Sequence, residues 1–256
     1  MSSEFRFLLA NFQLRYVLRE IGQSNMNEAL KSLPASEIVA YDQIITRIRT
    51  GTERTSTAAI RTLKWIFHAA RPLRMDELLE ALLVEQRLNG INANDEKFLP
   101  ADIVAMCHSL VIHEESSGMV RFIHFTVQEY LKSLKFPTID LAKTCVVYLQ
   151  SDAFDHFGLS SSEMEIHVQT YPLCLYVTQF WGFHVKGEAE RCAWVQESLL
   201  RLLASERRRN TIQATREHAT EEWSDLPSGR TELHIFAENG LVLLCEQVLK
   251  RQRHAI

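Results

Sequence analysis

Glycine and proline are scarce in this chain: its 256 residues include nine glycines and six prolines. Because these two residues interrupt helices and strands, their scarcity leaves room for long regular segments. Several of those segments repeat apolar residues with a period near 3.6, which is typical of amphipathic helices. The sequence therefore predicts a mainly α-helical protein.

The chain also lacks a charge-free run of about 18 apolar residues, so we expect no transmembrane span and no membrane partner. It has no CxxC pair, and its five cysteines are odd in number and far apart. No signal-peptide pattern precedes Phe5. These absences predict free thiols and a cytoplasmic location. The formal charge of −4 argues against a nucleic-acid surface over the whole molecule.

Residues 1–55 predict an N-terminal helical segment with two apolar stripes. The first stripe consists of Phe5, Leu8, Leu9, Phe12 and Tyr16, and the second of Ile38, Tyr41, Ile45 and Ile48. Leu33-Pro34 separates them, because the residue before a proline avoids the helical conformation. A third stripe, Ile60, Leu63, Phe67 and Ala70, follows Gly51, and Ser56 or Thr57 is its predicted cap.

Residues 56–136 predict a winged-helix domain. One helix ends near Ala70, a second runs from Met75 to about Val84, and a third starts at Pro100. Two alternating strands then flank Gly118, which predicts a two-stranded wing with apolar residues on both faces. The next helix is predicted to start near Val127, with Thr126 and Glu129 as a capping box and with Phe125 and Tyr130 as a hydrophobic staple.

The remaining chain predicts three further segments. Residues 137–204 predict a helical bundle, including a helix over 139–149 and another near Pro172 whose Leu173, Tyr176, Phe180 and His184 share a face. Residues 205–229 are polar and predict a linker or a weakly docked helix, with Arg207 to Arg209 on a solvated face.

Residues 230–256 resemble one ankyrin unit at Thr231, Leu233, His234, Ala237, Gly240 and Leu241, although Glu232 and Phe236 depart from the pattern. A single unit cannot bury its own apolar face. We therefore expect either the start of a repeat array or a lone helical hairpin packed on the bundle.

No catalytic, cofactor-binding or metal-ligating residue is predicted. There is no GxSxG pattern, and Ser160 with Glu163 suits a helix cap better than a nucleophile. The set Cys107, His108, His113 and His124 matches no standard zinc spacing. We expect His124 to make a polar contact at the exit of the wing, and Glu129 to cap the next helix rather than to form an acid/base pair with His124.

DNA binding is the main alternative that the winged-helix plan raises. The helix meant to read bases, 102–110, contains one Asp, one His and no Lys or Arg, which argues against it. The four tryptophans, Trp65, Trp181, Trp194 and Trp223, are predicted to pack rather than to stack on bases, and Trp223, in polar sequence, could dock the linker or a partner.

Several stretches resemble the region that follows the nucleotide-binding NACHT module in fungal NACHT-ankyrin proteins, catalogued as a GPI inositol-deacylase winged-helix domain. The matching stretches are FLLANFQL at 7–14, ALKSLP at 29–34, YDQIITRI at 41–48, LKWIFHAARPLRMDELLEAL at 63–82, CHSLV at 107–111 and HFTVQEYL at 124–131. In that family a phosphate-binding loop lies upstream, whereas this sequence has no GxxxxGK[ST] pattern.

The resemblance implies a fragment or truncated paralogue that couples a nucleotide switch to an ankyrin sensor. We therefore expect a non-catalytic module that acts through protein partners, with no cofactor and no nucleic acid. A DNA-binding regulator and a hydrolase with an unrecognised nucleophile stay as alternatives.

Overall fold

The computed structural model describes residues 13–14, 36–88, 97–155, 160–220 and 230–254. The stripe from Phe5 to Tyr16, the Leu33-Pro34 break and Trp223 lie outside them. Within them the fold is mainly helical with one small antiparallel sheet, as predicted. Its elements are α1 (Glu37–Arg49), α2 (Glu53–His68), β1 (Leu73–Arg74), α3 (Met75–Leu88), α4 (Pro100–Met106), β2 (Val111–Glu114), β3 (Met119–Phe122), α5 (Phe125–Ser133), α6 (Ile139–Leu149), α7 (Ser161–Thr170), α8 (Cys174–Val185), α9 (Ala193–Ala204), α10 (Glu206–Thr220), α11 (Glu232–Glu238) and α12 (Val242–His254).

Helices α1 and α2 begin at side-chain caps. Ser36 accepts a hydrogen bond from the Val39 amide at 3.3 Å, and Thr52 accepts one from Thr55 at the same distance. The predicted cap at Ser56 or Thr57 is therefore wrong, because the nearer Thr52 already meets the first free amides of α2. Ile38, predicted on the apolar face of α1, is 64% exposed. Tyr41, Ile44, Ile45 and Ile48 form the buried face.

The sheet has three strands in the order β1-β3-β2, so the prediction of two strands was incomplete. Leu73 of β1 pairs with Val120 of β3, while β2 pairs with β3 across the turn at Gly118. Gly118 has a φ of +70°, a conformation that glycine adopts without strain. A strand of two residues shows no alternation, and β1 therefore leaves no signal in the sequence.

The polar stretch after Ala204 forms α10, which packs on α8 and buries Thr211, Ile212 and Thr215. The predicted solvated face at Arg207 to Arg209 holds only in part, because Arg207 is exposed whereas Arg208 and Arg209 are half-buried. Arg208 donates to the carbonyls of Leu149 and Ser151, each at 3.1 Å, and also contacts Asp155.

Arg207 donates to the carbonyl of Asp155, and Arg209 donates to the carbonyls of Leu203 and Ala204 at 2.6 and 3.0 Å. Carbonyls at helix C-termini lack intrahelical partners, and cations are favoured there. This arginine triplet therefore joins α10 to the ends of α6 and α9.

One hydrophobic cluster extends from Tyr41 on α1 to Val248 on α12 and includes residues of the winged helix, the bundle and the C-terminal hairpin. Helix α8 is central to it, since it packs against both α6 and α10. All five cysteines are free thiols, as predicted. No helix in the described part of the chain is long and apolar enough to cross a bilayer.

Candidate functional site

The start of α5, where the chain leaves the wing, is capped by His124 and not by Thr126. The Nδ1 atom of His124 accepts a hydrogen bond from the Thr126 amide at 3.3 Å. The Thr126 hydroxyl lies 2.8 Å from that same Nδ1 and 2.7 Å from the hydroxyl of Tyr41 on α1. The predicted capping box is wrong because Thr126 is engaged by Tyr41, and Glu129 pairs instead with Lys132 at 2.5 Å.

The predicted staple between Phe125 and Tyr130 is also replaced by contacts to α1. Tyr130 packs against Tyr41 with ring centroids 5.3 Å apart, and its hydroxyl donates to Asp42 at 2.6 Å. Phe125 is left 59% exposed. The first turn of α5 is thus fixed by a neighbouring helix, and the phenyl ring at its start faces solvent.

Phe125 borders a groove of about 330 Å³ between residues 66–73 and residues 120–128. Phe67, Pro72 and Phe122 supply apolar wall, and Arg121 and Gln128 supply polar groups. We call this the Phe125 groove. An exposed aromatic ring beside such a groove is typical of surfaces that contact other proteins, because aromatic side chains dominate interface energetics.

At Ala70 and Arg71, which also line this groove, the winged helix meets the bundle through buried polar contacts. The hydroxyl of Tyr176 on α8 accepts a hydrogen bond from the Ala70 amide at 3.0 Å and lies 2.7 Å from Nε2 of His184. Both rings are almost fully buried. Burial lowers the pKa of His184 to about 4, and the nearby His68 adds to this. His184 is therefore neutral at pH 7, which allows its Nε2 atom to accept a hydrogen bond from the Tyr176 hydroxyl.

Two glutamates of α3 extend this junction. Glu77, 2% exposed, binds both terminal nitrogens of Arg71 at 2.5 and 2.8 Å, and the Arg71 guanidinium lies 5.1 Å from the Tyr176 ring centroid. Glu80 accepts from the Leu173 amide at the start of α8 at 2.6 Å. Burial raises the pKa of Glu80, although the bond from Leu173 opposes the change.

A third carboxylate of α3, Glu85, is buried between two residues of α2. It accepts from the indole nitrogen of Trp65 at 2.8 Å and pairs with Nε of Arg61 at 2.9 Å. Outside this pair, Lys64 reaches Asp140 at the start of α6 at 3.1 Å. The side of the winged helix that faces the bundle is therefore held by directional bonds as well as by apolar contact.

The residues considered for catalysis or metal binding belong to the core, to a strand or to helix caps. Cys107 is fully buried, and burial raises its thiol pKa to about 12, so it is not a ready nucleophile or metal ligand. His113 lies on β2 and His124 caps α5. In the described ranges no three His, Cys, Asp or Glu side chains are grouped to hold a metal ion. Ser160 and Glu163 form the predicted capping box, with bonds of 2.8 and 3.4 Å to each other's backbone amides.

Trp65 and Trp181 are buried as predicted, whereas Trp194 is 40% exposed at the start of α9. Trp194 is the second residue of α9 and lies in the first turn of that helix.

Cations do gather beside α4, although that helix has none. Arg47, Arg54 and Lys97 border a cleft of about 590 Å³, and Arg54 stacks 4.7 Å from the Phe98 ring centroid. The residues on α4 and at the tip of the wing, where a winged helix would contact DNA, argue against phosphate binding. Helix α4 carries Asp102, and the wing carries Glu114 and Glu115. A winged helix that reads DNA requires cations at those positions.

The C-terminal hairpin keeps the turn geometry that its sequence predicts. The Thr231 amide donates to Nδ1 of His234 at 3.2 Å, and Gly240, with a φ of +66°, separates α11 from α12. The hairpin also packs on the preceding bundle. The Leu244 amide donates to the buried Glu190 at 3.2 Å, and a Cβ atom on Gly182 of α8 would lie 2.0 Å from Oδ1 of Asn239.

Residues 45–139 match the family model described as "GPI inositol-deacylase, winged helix domain". The chain contains a winged-helix domain of this type. The chain is also similar to "Azaphilone pigments biosynthesis cluster protein L" of Monascus ruber, with 26% identity over 202 residues that cover 70% of this chain and 41% of the relative. The chain thus spans about two fifths of that relative's length. No solved structure gives a significant match.

Sequence reasoning missed most of the junction. Glu77, Glu80 and Glu85 lie on a helix whose apolar face was evident, and glutamates in such a helix are expected on the solvent side. A signal was nevertheless present, because four carboxylates, these three glutamates and Asp76, share α3 with the apolar residues Met75, Leu78 and Leu82. Spacing alone does not tell which of them are buried.

Proposed function

We propose that this chain is a non-catalytic interaction and relay module of NACHT-ankyrin type. In this proposal the winged helix receives a nucleotide-binding module on the side of the Phe125 groove. A movement of the winged helix is then transmitted through its junction with the bundle to the C-terminal hairpin, where an ankyrin-type sensor begins. The observation that carries the proposal is a contrast within one small domain. The junction with the bundle, which we call the fixed side, is buried, and the surface around Phe125 on α5, which we call the free side, is more exposed, with Phe125 itself 59% exposed.

The fixed side suits a relay because it resists independent movement. Sliding the winged helix over the bundle would break the bond from Ala70 to Tyr176 and the bond from Leu173 to Glu80. It would also leave the Glu80 carboxylate without its amide donor and separate Lys64 from Asp140. When the winged helix is displaced, we therefore expect α6 and α8 to move with it.

The free side suits docking. Phe125 projects beside Phe122 and Phe67, while Arg121, 54% exposed, stands at the edge and contacts Glu114 only at 3.8 Å. An apolar centre with a polar rim is the usual anatomy of a protein interface. We propose that the NACHT-type module contacts this groove, either as part of a longer polypeptide or as a separate chain.

The hairpin supports the sensor end of the proposal. Thr231, which contacts His234, and the left-handed Gly240 stand at the threonine and glycine positions of the ankyrin-like sequence pattern, and we take this as support for the proposal. Exposed apolar residues on α12, Val242 at 62% and Leu249 at 43%, suit the stacking of a further unit.

The genomic test extends the reading frame in both directions. The proposal expects a GxxxxGK[ST] loop upstream and further ankyrin units downstream, in this chain or in a partner gene beside it. Absence of both would contradict it.

The biochemical test measures binding between this chain and the NACHT-type module so identified, by calorimetry. Phe125→Ser should weaken binding at least tenfold without a change in thermal stability. The matched control is Phe183→Ser, at a phenylalanine on α8 that is 60% exposed. Equal binding by all three proteins would contradict the assigned surface, and saturable, salt-dependent binding to duplex DNA would favour the DNA-binding alternative instead.

A further inference from the structure

A second cleft, of about 330 Å³, lies where α2 and α3 of the winged helix meet α6 and α9 of the bundle. Arg61, Glu85 and Leu88 form one wall, and Lys143, Thr144 and Trp194 belong to the other. We call it the junction cleft. Its volume is at the lower end of the range found for small-molecule sites, which is about 300–1,000 Å³.

The carboxylates of the junction cleft are already neutralised. Glu85 is engaged by Arg61 and by the indole of Trp65, and Asp140 is engaged by Lys64, which stands outside the lining. The negative charge of the cleft is therefore matched before any ligand enters.

The cations of the cleft keep donors to spare. Arg61 meets Glu85 through Nε, and among the described residues no hydrogen bond uses its two terminal nitrogens. Lys143, half-buried, forms no ion pair with a described acid. A planar anion between these two side chains would receive charge-assisted hydrogen bonds from both, a geometry that guanidinium groups favour for carboxylates.

The rest of the wall is apolar and partly open. Trp194 and Leu88 are each 40% exposed, although both belong to helices that pack in the core. A flat apolar body resting on the indole would cover both, and aromatic stacking would add to the burial of area.

We infer that the junction cleft binds a small aromatic or conjugated carboxylate, with the carboxylate between Arg61 and Lys143 and the flat body against Trp194. This inference does not require the relay role. Because the walls come from the winged helix and the bundle alike, a bound ligand would also stabilise their junction.

The test uses naphthalene-2-carboxylate as the probe and naphthalene-2-carboxamide as its neutral counterpart. Binding to the full chain is measured by calorimetry, and the site is located by NMR of the four indole N–H groups, with Trp194→Phe to assign the resonance. We expect saturable one-to-one binding of the carboxylate, a shift of the Trp194 resonance, and at least tenfold weaker binding of the amide.

Lys143→Gln should weaken carboxylate binding about tenfold and leave amide binding unchanged. The matched control is Lys132→Gln, at an exposed lysine of α5, and it should bind both compounds like the unaltered chain. Thermal melting of each variant verifies folding. Equal affinity for the two compounds, unchanged binding by Lys143→Gln, or a Trp194 resonance that does not move would each overturn the inference.

Discussion

The two sides of the winged helix differ in how their polar groups are used. Towards the bundle, Glu77, Glu85 and His184 are each less than 5% exposed and have specific partners. Towards the Phe125 groove, His124 and Thr126 are only half-buried and bond to each other, and the Phe125 ring is 59% exposed. Buried polar groups fix a geometry because every alternative leaves one of them unpaired. The comparison therefore separates a buried junction that maintains structure from a groove whose side chains are more exposed.

The largest effect should come from removing a buried carboxylate. Glu85→Ala leaves the Arg61 charge and the Trp65 N–H without their partner, so we expect a loss of about 3–5 kcal/mol in the free energy of unfolding. Glu85→Gln, which keeps an acceptor for Trp65, should lose less. On the free side Glu129→Ala should change stability by less than about 0.5 kcal/mol, since its pair with Lys132 is exposed. Urea denaturation measures all three, and similar losses at positions 85 and 129 would remove the distinction between the two sides.

A smaller effect should come from the tyrosine hydroxyls. Tyr176→Phe leaves the Ala70 amide and Nε2 of His184 unpaired in the interior, for which we expect a loss of about 1–3 kcal/mol. The counterpart on the free side is Tyr130→Phe, whose hydroxyl meets Asp42 near solvent; its loss should stay below about 1 kcal/mol. If Tyr176→Phe costs no more stability than Tyr130→Phe, then water can replace the Tyr176 hydroxyl as the partner of the Ala70 amide and of His184 Nε2. The junction would then be accessible to water.

The pH dependence of stability should report His184. Its pKa is about 4 in the folded protein, against about 6.5 in an unfolded chain. Since the unfolded state binds more protons between these values, this contribution is complete above pH 6.5 and is lost as the pH falls towards 4. From pH 7.5 to 5.5 we expect a loss of about 1 kcal/mol from this group.

Because other groups also titrate in that range, the contribution of His184 is measured as a difference in the pH dependence of the unfolding free energy between the unaltered chain and its variants. His184→Gln should flatten the decline in unfolding free energy between pH 7.5 and 5.5. His113→Gln, on the wing, is the matched histidine variant against which that slope is compared. The raised pKa of Glu80 acts in the opposite sense, because a folded state that holds its proton more tightly gains stability on acidification. Parallel slopes for all variants would mean that His184 is solvated.

Periodicity and turn residues predicted the helices and the wing, but not how polar side chains pair across elements. The spacing Ser/Thr-x-x-Glu occurs at the start of both α5 and α7. At α7 the box forms, because Ser160 and Glu163 are exposed and, in the described part of the chain, no residue from another element binds them. At α5 the hydroxyl of Thr126 meets Tyr41, which is 85 residues away in the chain. A local rule predicts local bonds, and the tertiary contact that overrides it has no local signal.

The smallest expected effect tests that explanation through a double-mutant cycle. Thr126→Ala and Tyr41→Phe each remove one end of a single hydrogen bond, so their losses should be less than additive, with a coupling of about 0.5–1.5 kcal/mol. Thr126→Ala and Glu129→Ala should be additive, since the two side chains do not form the box. The control cycle, Ser160→Ala with Glu163→Ala at α7, should show coupling. Additivity between positions 41 and 126 together with coupling between 126 and 129 would mean that α5 is capped by its own sequence. In that case Tyr41 would not link α1 to the free side of the winged helix, and a partner docked at Phe125 could not reach α1 through this contact.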